Sequence, residues 1–104
     1  MTKNAKQLAP MHPGEVLREE FMEPYGLSAY AVAKACHIPR TRIERIVREE
    51  TGITTDTALR LAKFFDTSAE FWLNLQNRYE LEMTEPAIRS DLESIPVREG
   101  RIAA

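Results

Sequence analysis

Apolar residues recur along this chain at the spacing of short amphipathic helices, one after another, and the alternation expected of strands is scarce. Pro13 stands where a first helical turn accepts proline, with Glu15 in the acidic start that the helix dipole favours. Val16, Leu17, Phe21 and Met22 follow as an apolar stripe, and Pro24-Tyr25-Gly26 stops it. Ser28 is an N-cap for a second helix, Ala29 to Cys36, in which Val32 and Cys36 point inward and the small Ala33 lets another helix cross closely. Pro39 opens a third helix, reaching about Glu49, with Ile43, Ile46 and Val47 on its inner face; Gly52 marks the exit and is expected at φ > 0. Thr54 caps a fourth, whose Ala58, Leu61, Ala62 and Phe65 repeat at i, i+3, i+4 and i+7. Asp66-Thr67-Ser68 is a capping cluster, and a fifth helix carries Phe71, Trp72, Leu75 and Tyr79 to about Met83, with Trp72 assigned to the core.

Five short helices joined by short connections predict an all-α bundle. Residues 1–11 read as a loose N-terminal arm and 12–83 as the folded domain. Residues 84–104 form an acidic tail: Pro86 permits a break, Ala87 to Leu92 has the makings of one more short helix, and Ser94 to Val97 is extended. Ile95 to Val97 is a candidate edge strand, and residues 100–104 are expected to fray.

Composition changes the picture only when it is located. The 104 residues suit one domain with one modest core. Lys and Arg number 14 against 16 Asp and Glu, which does not suggest a nucleic-acid binder until the positions are examined. Residues 34–48 hold Lys34, Arg40, Arg42, Arg45 and Arg48 against the single acid Glu44, while 15–23 and 80–104 are both acidic. The protein is polarised, with a basic middle between acidic ends. One cysteine, Cys36, excludes an internal disulfide and fits a reducing cytoplasm. The polar start lacks the apolar run of a signal peptide, and no window approaches a membrane span.

The basic stretch lies on the second of two helices joined by a tight turn at His37-Ile38. His37 stands where such turns often place a residue with φ > 0, which histidine tolerates better than most. The third helix has apolar anchors only at Ile43, Ile46 and Val47, so Arg40, Thr41, Arg42, Glu44, Arg45 and Arg48 are left mostly outside. One helix braces and the next presents its N-terminal face, the layout of a helix-turn-helix over residues 28–48. Arg40, Thr41 and Arg45 are placed to reach base edges, with Arg42 and Arg48 assigned to phosphate. The alternative is a solvated basic face on an ordinary helix.

With these residues on the page, HPGEVLREEF, IPRTRIERIV, GITTDTALRLAKFFDTS and EFWLNLQNRYEL resemble the HigA-type antitoxins, also called VapI-like or plasmid-maintenance antidote proteins. These belong to the Cro/C1-type (XRE, lambda-repressor-like) helix-turn-helix superfamily, and the resemblance runs from about His12 to Tyr79. It implies a DNA-binding antitoxin that neutralises a HigB-type mRNA-cleaving toxin and represses their shared operon, usually as a dimer on a palindrome. The DNA-contacting set it implies is Ser28, Ala29, Arg40, Thr41, Arg42, Glu44 and Arg45, with the backbone at Ser28 and Ala29 meeting a phosphate. Glu49-Glu50 departs from the pattern, since relatives often carry Gly or a basic residue after the recognition helix. A solitary XRE-type repressor without a toxin, and a protein-binding module that has lost DNA binding, remain as alternatives.

Other features carry less. Leu73, Asn77 and Leu81 form an i, i+4, i+8 row on a second face of the fifth helix and suggest a twofold or partner surface. The acids Glu15, Glu19, Glu20 and Glu23 are candidates to face a basic toxin, or are simply solvated. His12, Cys36 and His37 lack paired metal-ligand spacing, and neither a nucleophile triad nor a phosphate-binding glycine loop is present, so no enzyme activity, metal or cofactor is expected.

Overall fold

A computed structural model describes residues 9–100; most of the N-terminal arm and residues 101–104 of the tail lie outside that range. All regular structure within it is helical, in the order α1 (Pro13–Val16), a π-helical turn (Leu17–Met22), a 3-10 turn (Glu23–Tyr25), α2 (Ala29–Cys36), α3 (Arg40–Val47), α4 (Thr55–Phe65), α5 (Ala69–Ala87) and α6 (Arg89–Ser94). The all-α bundle is therefore as predicted. The capping residues are too: Ser28, Thr54 and Ser68 each accept the N–H of the residue three positions on.

Helix ends repeat one device. The chain turns left-handed at Gly26, His37, Glu49 and Asp66, and the N–H of the following residue reaches back five positions to a carbonyl, as in Ile38 to Ala33 and Glu50 to Arg45. His37 behaves as predicted, with φ 60°. Gly52 does not: the positive φ, 64°, belongs to Glu49, and α3 ends at Val47, two residues early. What holds Gly52 small is crowding, since a methyl group there would come within 2.6 Å of the Gln76 side-chain amide. Gln76 is occupied, its Oε1 accepting the Ile53 N–H at 2.8 Å and its Nε2 donating to Glu80 at 2.8 Å.

The core contains Leu17, Met22, Val32, Ala33, Cys36, Ile43, Ile46, Ile53, Ala58, Leu61, Ala62 and Trp72. Trp72 is fully buried, as expected, and its indole N–H donates to Thr67 Oγ1 at 2.8 Å, so burial leaves no polar atom unpaired. Phe21 packs on it with ring centroids 4.9 Å apart. The π turn brings Leu17, Phe21 and Met22 to this cluster, a widening that the stripe of apolar residues did not announce.

α5 differs most from expectation. It continues past Met83 and through Pro86 to Ala87, and the break falls at Ile88, whose N–H bonds back to Thr84. Pro86 has no N–H to give residue 82 and its ring crowds that carbonyl, so its cost falls on the last turn of the helix. Residues 95–97 form no strand, and Ile95 and Val97 are exposed. Leu73 packs partly against the core, so only Asn77 and Leu81 of the predicted row are exposed.

Two buried features at the start of α1 generate predictions. A methyl group at Gly14 would lie 1.8 Å from the Ile46 carbonyl oxygen. Gly14→Ala must push α1 off α3 and should destabilise by about 1–3 kcal/mol or more in urea denaturation. His12 caps α1 through Nδ1, which accepts the Gly14 N–H at 2.9 Å, and packs edge-on to Tyr79. Burial lowers its pKa from the ordinary 6.5, with Glu49 opposing. The unfolded chain therefore binds the proton more readily, so this stability is complete above about pH 6.5 and declines as pH falls below it. His12→Asn, which keeps an acceptor at the cap, should flatten the dependence of melting temperature on pH across that window.

Candidate nucleic-acid interface

Three elements position the basic face. Val32, Ala33 and Cys36 of α2 are buried, as are Ile43 and Ile46 of α3, and the two helices meet across these residues. Burying Ile43 and Ile46 turns the other side of α3 outward, where Arg40, Thr41, Arg45 and Arg48 are exposed and Arg42 and Glu44 half-exposed. Thr41 and Arg45, one turn apart, share a face as predicted. At the start of α2, Ser28 Oγ accepts the Ala31 N–H at 3.0 Å, which leaves the Ala29 and Tyr30 N–H groups without partners inside the helix.

Arg18 secures the far end of α3. Its guanidinium donates to the Val47 carbonyl and pairs with Glu19 and Glu49 at 3.2 and 3.3 Å. Glu49 is thus part of the clamp on the helix end, where the sequence had marked it only as an acid in a basic neighbourhood. Glu19 is engaged by the same arginine, while Glu20 and Glu23 are exposed.

The arginines of α3 are not alike. Arg40 Nε lies 3.2 Å from Glu44, and Arg45 Nε 3.9 Å from Glu50. Arg42 Nη1 reaches across to α4, 2.9 Å from Asp56 Oδ1 and 3.5 Å from Thr57 Oγ1. Arg48 has no ion pair among the described residues. Asp56 is also held by Arg60 at 2.8 Å, and Arg60 Nη1 donates to the Cys36 and His37 carbonyls at the end of α2. Asp56 therefore joins α2, α3 and α4 through two guanidinium groups. Those hydrogen bonds, from Arg60 first and Arg42 second, hold its carboxyl below the usual aspartate range. Sequence reasoning missed this hub. The Asp56–Arg60 pair was visible as an i, i+4 spacing, but the 14-residue step from Arg42 to Asp56 has no local signal.

The surface is a charged, hydrogen-bonding helix face on a rigid brace. Among the described residues, no group of His, Cys, Asp and Glu could hold a metal ion, and no helix is long and apolar enough to cross a membrane.

Comparison with known proteins gives consistent results. A helix-turn-helix family model matches residues 19–72. Virulence-associated protein I of Dichelobacter nodosus is 54% identical over 79 residues, covering 76% of this chain and 73% of that protein. A Pseudomonas aeruginosa protein solved with 18 base pairs of its operator DNA superposes with a TM-score of 0.84 at 40% identity, over 89% of this chain and 99% of that one. The Pseudomonas aeruginosa antitoxin HigA, solved with the higBA promoter, superposes with a TM-score of 0.81 at 40% identity, over 88% and 99% of the two chains.

Proposed function

Because this chain belongs to the XRE, Cro/C1-type helix-turn-helix family, alongside proteins named VapI and HigA, we propose that it is a sequence-specific DNA-binding antitoxin that represses its own operon and neutralises a HigB-type toxin in the cytoplasm. The observation that carries the DNA reading is the outward face of α3, with Arg40, Thr41 and Arg45 at its exposed side and α2 braced behind it. Arg40 and Arg45 are assigned to guanine edges, where a guanidinium fork matches O6 and N7, with Thr41 and Glu44 beside them. Arg48, without an ion pair among the described residues, is assigned to phosphate, together with the backbone N–H groups at Ser28 and Ala29. Arg42 reaches DNA only by leaving Asp56. Two copies would present their α3 helices to successive major grooves about 34 Å apart on a roughly palindromic site. The acidic flanks repel DNA elsewhere and orient the encounter.

Self-association is assigned to the far half of α5 and to α6. Leu81, Met83, Ile88 and Leu92 are exposed there, 61% in the case of Leu81, which extends the predicted Asn77–Leu81 surface along the chain. Glu20 and Glu23, exposed on the opposite acidic segment, are the remaining candidates to meet a basic toxin, with Glu15 and Glu19 flanking them.

Fluorescence anisotropy with DNA from upstream of the gene tests the reading. Arg40→Ala and Arg45→Ala should each weaken operator binding by ~1–3 kcal/mol and leave scrambled DNA nearly unaffected. Arg48→Ala should weaken binding to every sequence and lower the salt slope by about one. A protein that binds no DNA at any salt concentration would instead be a protein-binding module. Leu81→Asp should shift the mass seen by light scattering toward that of the monomer; an unchanged mass would move the self-association surface elsewhere.

A further inference from the structure

The arginines facing outward from α3 are met by carboxylates from three places in the chain. Glu44 comes from α3 itself, Glu50 from the loop beyond it, and Asp56 from the first turn of α4. Their partners are Arg40, Arg45 and Arg42, at 3.2, 3.9 and 2.9 Å. Exposed pairs of this kind contribute little to stability, so holding the fold together does not account for three of them on one small face. We infer that Asp56, Glu44 and Glu50 act as a specificity filter, each holding an arginine that DNA must take from it. The inference rests on the DNA-reading proposal above and adds what these acids do to it.

The physical argument concerns the two kinds of acceptor that DNA offers. A phosphate that approaches a carboxylate-bound arginine brings a second negative charge into the same few ångströms. Less is then gained from the contact, and the counterion release that drives non-specific binding is smaller for an arginine already neutralised. A guanine edge is uncharged and offers two acceptors in the plane of the guanidinium fork. Base reading therefore meets less repulsion from the carboxylate than phosphate binding does, and the acids widen the gap between operator and random DNA. Asp56 is best suited to this task because it does not depend on Arg42 as its only counter-ion. Arg60 Nε stays 2.8 Å away, so the carboxylate remains in place and charged when Arg42 leaves. Arg48, which has no such acid among the described residues, is the arginine left for unselective phosphate contact.

The test compares operator and scrambled duplexes in anisotropy titrations of the full chain at several salt concentrations, with melting curves to confirm folding. Asp56→Asn and Glu50→Gln should each tighten scrambled-DNA binding by about 3–10-fold, with a smaller change on the operator, so that the ratio between the two falls. In an Arg42→Ala background Asp56→Asn should do nothing, and likewise Glu50→Gln in Arg45→Ala. Glu99→Gln, an equal change of charge on the exposed chain beyond α6, should leave the ratio unchanged. Equal tightening on both duplexes, no tightening, or an effect that persists without the partner arginine would overturn the filter while leaving DNA reading intact. If Asp56→Asn fails to fold, Glu50→Gln, in a loop, carries the same test. A wild-type chain that binds neither duplex would overturn the parent proposal, and the filter with it.

Discussion

The last turn of α3 is the constraint on which the rest of the structure depends. A helix only eight residues long has few internal hydrogen bonds; the Arg48, Glu49 and Glu50 N–H groups close its last turn onto the Glu44, Ile46 and Arg45 carbonyls, and the Val47 carbonyl is left to a side chain. Two features of the first helical segment act on that end. Gly14 has no side chain, so α1 lies directly against the Ile46 carbonyl, and one turn on Arg18 supplies a cation and a donor to Val47. A positive group at a helix C-terminus also complements the dipole. Glu49, turning left-handed just beyond, completes the clamp. The outward direction of Arg40, Thr41 and Arg45 follows from where this end is held.

The charge distribution that seemed contradictory in an acidic chain has a division of labour. Arg18 and Arg60 work inward, on carbonyls at the ends of α3 and α2. Arg40, Arg42 and Arg45 face outward with carboxylates beside them, and Arg48 faces outward with no ion pair among the described residues. Much of the acid in the middle of the sequence is thus engaged with arginine, and the excess negative charge lies on the flanks.

What could be read in advance was what short-range chemistry dictates. Ser28, Thr54 and Ser68 are caps because a side-chain oxygen can reach an N–H three residues on, and the limits of α2 followed from capping and spacing; the spacing of Trp72 suited a dimer seam as well as the core, and the structure buries it. His37 was legible because few residue types suit a left-handed turn. The errors lie where distant segments decide. Gly14 and Gly52 are small because of Ile46 and Gln76, each more than 20 positions away, and no local pattern marks them. Glu49 was read as a departure because its partner, Arg18, lies 31 positions earlier. Pro86 misled for another reason: its ring and missing N–H weaken only the turn before it, and that was not enough to end α5, which runs on to Ala87. The outward set of α3 was recoverable from its three anchors, but its pairing with Asp56 was not.

Gln76 has a consequence of its own. It sits on α5, yet its amide holds the Ile53 N–H, in the segment that leads from α3 into α4. The far half of the same helix carries the exposed apolar residues Leu81 and Met83. Without the Gln76 acceptor the Ile53 N–H would lose its partner and the chain between α3 and α4 its anchor. One amide on α5 therefore fixes the path of a segment more than 20 positions away.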